Sequence, residues 1–130
     1  MTKETAKKSK IKKKRSISVG NIYIQSSFNN TIVTITDTSG DVVAWASAGS
    51  IGFKGTKKST PYAAGLAATS AIEKAKTLGL SKADLFVSGV GVGRESAVRA
   101  LTNARVDIDI IKDTTPIPHN GCRPKKARRI

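Results

Sequence analysis

Twelve of the chain's fourteen net positive charges lie in its first 16 and last 17 residues. Residues 1–16 hold eight basic side chains and one acid, and residues 114–130 hold five and none. The 97 residues between them hold ten basic and eight acidic side chains, so only this stretch is balanced enough to bury a core. Both ends are poor in large apolar groups and cannot offset the entropy of ordering themselves. The expected organisation is a basic N-terminal arm over 1–16, one folded domain over 17–113 and a basic C-terminal arm over 114–130. Extended, a 17-residue arm reaches about 56 Å, against a radius of gyration of about 12 Å for the domain. Solubility needs no such focusing of charge, and the pattern points to a polyanionic partner.

Composition removes several function classes. Cys122 is the single cysteine, so no disulfide framework forms within the chain. One His and one Cys cannot supply a four-ligand zinc site. No apolar run approaches the roughly 20 residues of a membrane span. The lysine-rich start has no apolar stretch or cleavage signal behind it, against a secretory signal. The expectation is a reduced, cytoplasmic, basic protein with no membrane partner, metal or cofactor.

The middle alternates strand-like and helix-like patterns. Ser16–Ser26 reads as a strand whose parity switches at Gly20-Asn21, the mark of a bulge. Asn30–Asp37 is rich in β-branched residues and reads as the second strand. Asn29 and Asn30 sit where a hairpin needs positive φ. Asp41–Ala48 is the third strand. Gly49–Thr60 is a loop with three glycines and three lysines. A helix follows, capped by Thr60, begun by Pro61 and stopped at Gly79. Ala64, Ala67, Ala68, Ala71, Ala75 and Leu78 give it a narrow stripe for close packing on a sheet, with Lys74 and Lys76 solvated beside it. Asp84–Val90 is the fourth strand, Arg94–Ala104 the second helix with Ala97, Val98 and Leu101 inward, and Val106–Ile111 the fifth strand with Val106, Ile108 and Ile110 on one face. The fold class is α/β, a mixed five-stranded sheet in the order βββαβαβ: a meander first, then parallel strands through right-handed crossovers.

Candidate anion contacts fall in five places. Lys12, Lys13, Lys14 and Arg15 crowd the first arm. Lys54, Lys57 and Lys58 in the glycine-rich loop neutralise phosphates while Ser59 and Thr60 donate hydrogen bonds, Thr60 also serving as a cap. In Gly89–Gly93, Gly91 and Gly93 allow close backbone approach; Arg94, Ser96 and Arg99 follow at a helix start whose dipole favours anions. An ordinary tight turn with Arg94 solvated is the competing reading. Phe28, Asn29 and Asn30 form the hairpin tip; Phe28 is a stacking group or a core plug, and the shortage of aromatics favours the plug. His119, Asn120, Arg123, Lys125, Lys126, Arg128 and Arg129 populate the second arm. Asn120-Gly121 is a turn former and is prone to succinimide chemistry.

Known nucleotide motifs fail. Gly89–Gly93 lacks the last glycine of G-x-G-x-x-G, where Arg94 stands, and residues 52–59 lack P-loop spacing. The segment is no RNA-recognition aromatic box either, with Phe53 its single aromatic. His119 and Cys122 lie in a Pro-broken, basic stretch with no third group to orient the His, against Cys–His catalysis. Asp37, Asp41, Asp107 and Asp109 belong to turns or a solvent face rather than to a two-metal nuclease cluster. Arg94 and Arg99 point about 140° apart on their helix, so no groove-reading face exists and RNA is favoured over DNA. The rival readings are a nucleoid-type DNA binder and a nuclease.

Four segments sharpen this picture: residues 27–37 (SFNNTIVTITD), 55–61 (GTKKSTP), 93–101 (GRESAVRAL) and 115–124 (TPIPHNGCRP). In this order they closely resemble the bacterial small-subunit ribosomal protein eleven family over about residues 16–130. The resemblance implies a ribonuclease-H-like fold without nuclease activity. It implies a structural place on the platform of the small ribosomal subunit, binding 16S ribosomal RNA and bridging its helices. It also implies a share in the Shine–Dalgarno cleft at the mRNA exit, contacts with small-subunit proteins seven and eighteen and with initiation factor three, and a monomer within the ribosome. The chain departs from the family pattern at Val90 and Val92, where prolines are usual in the glycine turn, and at Lys125 and Ala127 in the tail.

Overall fold

A computed structural model describes residues 18–104 and 106–127. The expected N-terminal arm, with Lys12 to Arg15, lies outside these residues, as do Arg128 and Arg129. Five strands and two helices follow in the order β1 (Val19–Ser26), β2 (Thr31–Asp37), β3 (Val42–Ser47), α1 (Pro61–Thr77), β4 (Lys82–Gly89), α2 (Arg94–Asn103) and β5 (Asp107–Asp113). A short 3-10 turn over Gly55–Ser59 sits inside the lysine loop. The sheet order is β3-β2-β1-β4-β5. β1–β2 and β2–β3 are antiparallel, while β1–β4 and β4–β5 are parallel. This is the expected mixed α/β sheet.

Both helices pack on one sheet face and on each other. The sheet offers Ile22, Ile24, Val33, Ile35, Leu85 and Val87 to this core. α1 answers with alanines: Ala63, Ala64, Ala67, Ala68, Ala71 and Ala75 are all fully buried. Small side chains let the helix axis lie close to the strands, and Ile72 is the one large side chain α1 buries fully beside them. Thr60 Oγ1 accepts from Ala63 N at 3.2 Å, as its capping role requires. At the other end Gly79 has φ +97°, Gly79 N donates to Lys76 O and Leu80 N to Ala75 O, a Schellman stop.

The opposite face carries a row across all five strands: Trp45, Thr34, Tyr23, Phe86 and Lys112 are successive register partners. Tyr23 and Phe86 stack with centroids 5.1 Å apart. Trp45 is half exposed.

Several expectations fail for identifiable reasons. No bulge occurs at Gly20-Asn21; β1 pairs with β2 in unbroken register from Gly20 to Ser26. Gly20 simply takes an inward position, where a Cβ would meet Thr36 O at 2.4 Å, and Val19 faces out. The irregularities lie instead in β2–β3 near Ile35 and in β4–β5. In β5, Asp109 and Ile110 together oppose Asp84. The parity of the strand therefore shifts, Ile111 rather than Ile110 pairs beside buried Leu85, and Ile110 is half exposed. Neither Asn29 nor Asn30 has positive φ. Ser27 Oγ closes the hairpin by accepting from Asn29 N and Asn30 N, and Asn30 Oδ1 accepts from Thr31 N at 2.9 Å. Lys74 and Lys76 are exposed, as expected, and their ammonium groups also donate to Trp45 O and Ala104 O.

Ala68→Leu adds three carbons where the α1–sheet spacing leaves none. It should lower unfolding stability by about 1–3 kcal/mol, read as a shifted urea midpoint with unchanged m-value. An unshifted midpoint would show that α1 has room to move.

Candidate nucleic-acid interface

Strand directions decide where the loops gather. β1, β3, β4 and β5 run the same way, so Ser26, Ser47, Gly89 and Asp113 all end at one edge of the sheet, where β2 begins. The hairpin tip 27–30, the lysine loop, the glycine turn and the start of the C-terminal segment therefore share that edge. In an open α/β sheet this is the edge where ligands bind. The chain enters β1 at the opposite edge, about 26 Å away along an eight-residue strand.

The glycine turn is the hub. Gly89 has φ +99°, and a Cβ there would lie 1.8 Å from Ser26 O. A Cβ on Gly91 would lie 2.2 Å from Ser26 Oγ and from Ser27 O, and one on Gly93 would lie 2.5 Å from Thr31 Oγ1 and 2.7 Å from Ala64 Cβ. The close approach these glycines permit is thus to the chain's own hairpin and α1. Val90 and Val92 stand outward and exposed between them.

Around this hub the candidate residues separate. Phe28 is 76% exposed at the hairpin tip, so the core-plug reading fails and the stacking reading keeps its geometry. The core beneath is already filled, because Gly91 packs directly on Ser26 and Ser27. Lys54 and Lys57 are exposed; Lys58 is half-buried, its stem beside Gly49. Thr60 spends its hydroxyl on the cap, donating to Lys57 O and accepting from Ala63 N, and Ser59 is half-buried beside it. Tyr62, 69% exposed and edge-on to Phe53 with ring centroids 6.0 Å apart, joins this surface. Sequence reading missed it because its place on the outer face of α1 looked ordinary. Ser96 is half-buried in the furrow between the helices. Arg99 sits further along α2, exposed and 3.8 Å from Glu95.

Arg94 is neither solvated nor free. Its Nη1 donates to Gly89 O at 2.7 Å and its Nη2 to Asp113 Oδ2 at 2.8 Å. Asp113 Oδ1 accepts from Thr115 N at 3.0 Å and Thr115 Oγ1 at 2.5 Å. The hydrogen bond from Arg94, then those from Thr115, hold the Asp113 carboxyl far below the usual carboxylate range. His119, Asn120, Arg123, Lys125 and Lys126 follow in exposed chain outside any strand or helix; Asn120 has φ +65°, as a turn former tolerates.

The carboxylates weighed as a nuclease cluster lie elsewhere. Asp37 and Asp41 bracket the β2–β3 turn, and Asp107 begins β5, all at the opposite edge. Three strand spacings, about 14 Å, separate β2 from β5. Asp109 pairs with Lys82 at 3.0 Å and holds that ammonium above its ordinary value. Among the described residues no three His, Cys, Asp or Glu side chains gather to hold a metal. Among the same residues no helix is long and apolar enough to cross a membrane.

The family model described as ribosomal protein S11 matches residues 20–129, which is almost the whole chain. The chain belongs to the ribosomal protein S11 family. Proteins named small ribosomal subunit protein uS11 from Rippkaea orientalis (strain PCC 8801 / RF-1) and from Borreliella burgdorferi (strain ZS7) are 55% and 53% identical to it, each over the full length of both chains. The one from Borreliella afzelii (strain PKo) is 53% identical over the same span. The S11 family is a structural, non-enzymatic component of the ribosome's small subunit, so the carboxylates and the His119–Cys122 segment have no catalytic reading.

The Arg94–Asp113 pair gives a pH prediction for this S11 family member. A lowered carboxyl pKa means the pair's contribution is complete above the ordinary Asp range near ~3.9 and is lost as pH falls through the depressed folded value. Carboxyl carbon NMR should show Asp113 titrating well below that range, and Arg94→Ala should raise its midpoint. An ordinary midpoint in the parent protein would remove the ion pair.

Proposed function

We propose that this chain is a structural constituent of the small ribosomal subunit that binds 16S ribosomal RNA on the platform and bridges RNA helices there. In this reading it helps form the Shine–Dalgarno cleft at the mRNA exit. Its protein neighbours are small-subunit proteins seven and eighteen, with initiation factor three and mRNA nearby, and it acts as a cytoplasmic monomer within the ribosome. Family membership supports the ribosomal part. One observation supports the mode of binding: the loops that carry exposed Phe28, Lys54 and Lys57 share a single sheet edge with the base of the C-terminal arm, while Asp37, Asp41 and Asp107 lie at the other.

Such an edge recognises phosphate and RNA shape more than base sequence. Lys54, Lys57 and Lys58 supply charge, and backbone positions the protein. Phe28 and Tyr62 offer faces for unstacked bases at loops or bulges. The lysine loop follows β3 and the C-terminal segment follows β5, four strand spacings or about 19 Å apart along that edge, so two phosphate backbones can be held side by side on one rigid body. The Asn120-Gly121 turn lies midway along the second arm, where a chemical change in the backbone would alter its path.

The test is a salt titration of binding to 16S ribosomal RNA. Replacing Lys54, Lys57 and Lys58 with Gln should weaken binding and flatten the plot of log affinity against log salt by about 0.7–0.9 for each phosphate no longer neutralised. The parent protein should co-sediment with the small subunit. An unchanged slope would contradict the interface. Equal affinity for duplex DNA at matched salt would favour the nucleoid-type alternative.

A further inference from the structure

One acidic residue at the basic edge has an unexpected set of partners. Asp113 ends β5, and a carboxylate there opposes phosphate binding on charge grounds alone. Yet both of its oxygens are occupied, Oδ2 by Arg94 Nη2 and Oδ1 by Thr115 N and Oγ1. Thr115 Oγ1 in turn accepts from Gly89 N at 3.2 Å, and Thr114 N donates to Val87 O at 2.8 Å. Arg94 Nη1 closes the circuit on Gly89 O. The start of α2, the glycine turn, the end of β5 and the first residues of the C-terminal segment are thereby tied together.

We infer that Asp113 is a positioning residue: with Arg94, Thr115 and Gly89 it forms a clamp that aims the C-terminal arm and so raises the chain's affinity for RNA, although its own charge opposes RNA. The inference rests on the RNA-binding reading above. Three features carry it. The clamp lies at the root of the arm, so any rotation there is magnified at the tip. From Thr115 to the turn at Asn120 the chain spans about 17 Å, and a 30° swing at the root moves that turn, with the basic residues beyond it, by about 9 Å. Pro116 follows at once and restricts Thr115 to extended backbone, so the direction fixed at Thr115 is passed on. Pro116 then lines one open depression with Gln25, Ser26, Ser27 and Asn30, beside the hairpin whose tip presents Phe28. An arm held on course loses less freedom when it binds than one that must search.

The sign of the effect separates this from electrostatics. Asp113→Asn adds one unit of positive net charge. A purely electrostatic surface then binds RNA more tightly or equally. The clamp predicts weaker binding of the full-length protein to a 16S ribosomal RNA transcript at fixed salt, by about 3- to 10-fold. Thr115→Val changes no charge and should weaken binding in the same direction, which guards against a charge-specific artefact. Asp113 is exposed and Thr115 is only half-buried, so the unfolding midpoint should move little. The decisive step is a cycle with Arg123, Lys125 and Lys126 replaced by Gln. In that background Asp113→Asn should cost less, because three of the five cations in the arm it aims are gone. Undiminished or tighter binding by Asp113→Asn, with the triple variant weakened, overturns the clamp and leaves the arm reading intact. The same additional loss in both backgrounds overturns it too. A triple variant that binds like the parent shows that the arm does not contact RNA, and both readings fall.

Discussion

At Gly89 an added Cβ would lie 1.8 Å from the Ser26 carbonyl oxygen, and at Gly93 one would press on Thr31 and Ala64. This three-way approach of glycine turn, first hairpin and α1 is the contact on which the rest of the molecule depends. It brings the end of β4 beside the end of β1, which the parallel pairing from Val19–Lys82 to Ser26–Gly89 demands. It also sets where α2 begins, and hence where Arg94 can meet Asp113. A chain with side chains at 89, 91 and 93 would have to open the hairpin away from α1, and the loops that share the edge would separate.

From that packing follows the polarity of the domain. Parallel strands deliver their C-terminal ends to one edge, and the lysine loop, the turn and the arm are the connections found there. The opposite edge receives the tight β2–β3 turn with Asp37 and Asp41 and the start of β5 with Asp107. A domain close to neutral by count is therefore sided by topology. The field near the lysine edge attracts phosphate, while the acidic edge discourages a second, competing orientation.

Much of the fold was legible because local chemistry and tertiary packing agree. Thr60, Pro61 and Gly79 mark α1 by mechanisms that do not depend on neighbours, and its alanine stripe names its buried face. The β-branched run over 31–37 could hardly be other than a strand. What was hidden required partners distant in sequence. The bulge in β5 shifts Ile110 out of the core because Asp109 and Ile110 share one place opposite Asp84 on β4. Gly20 looked like a break in parity and is an inward residue under Thr36. The site was legible as a set of loops but not as a surface. Arg94 reads as a phosphate donor until Asp113, nineteen residues away, is seen to hold its guanidinium. Phe28 reads as core until its hairpin is found closed by Ser27. Tyr62 gave no signal beyond its position one residue after Pro61.

The central claim is that RNA lies against the edge where the lysine loop, the glycine turn and the arm meet. Cys122 is the single cysteine, and it is exposed in that arm, which makes it a natural tether. An iron–EDTA group attached there, with the protein assembled into small subunits, should cut 16S ribosomal RNA strongly at a few places. The same group on Ser39→Cys in a Cys122→Ser background, at the acidic edge, should cut weakly or elsewhere. Strong cleavage from position 39 with none from position 122 would place RNA on the wrong edge and contradict the account.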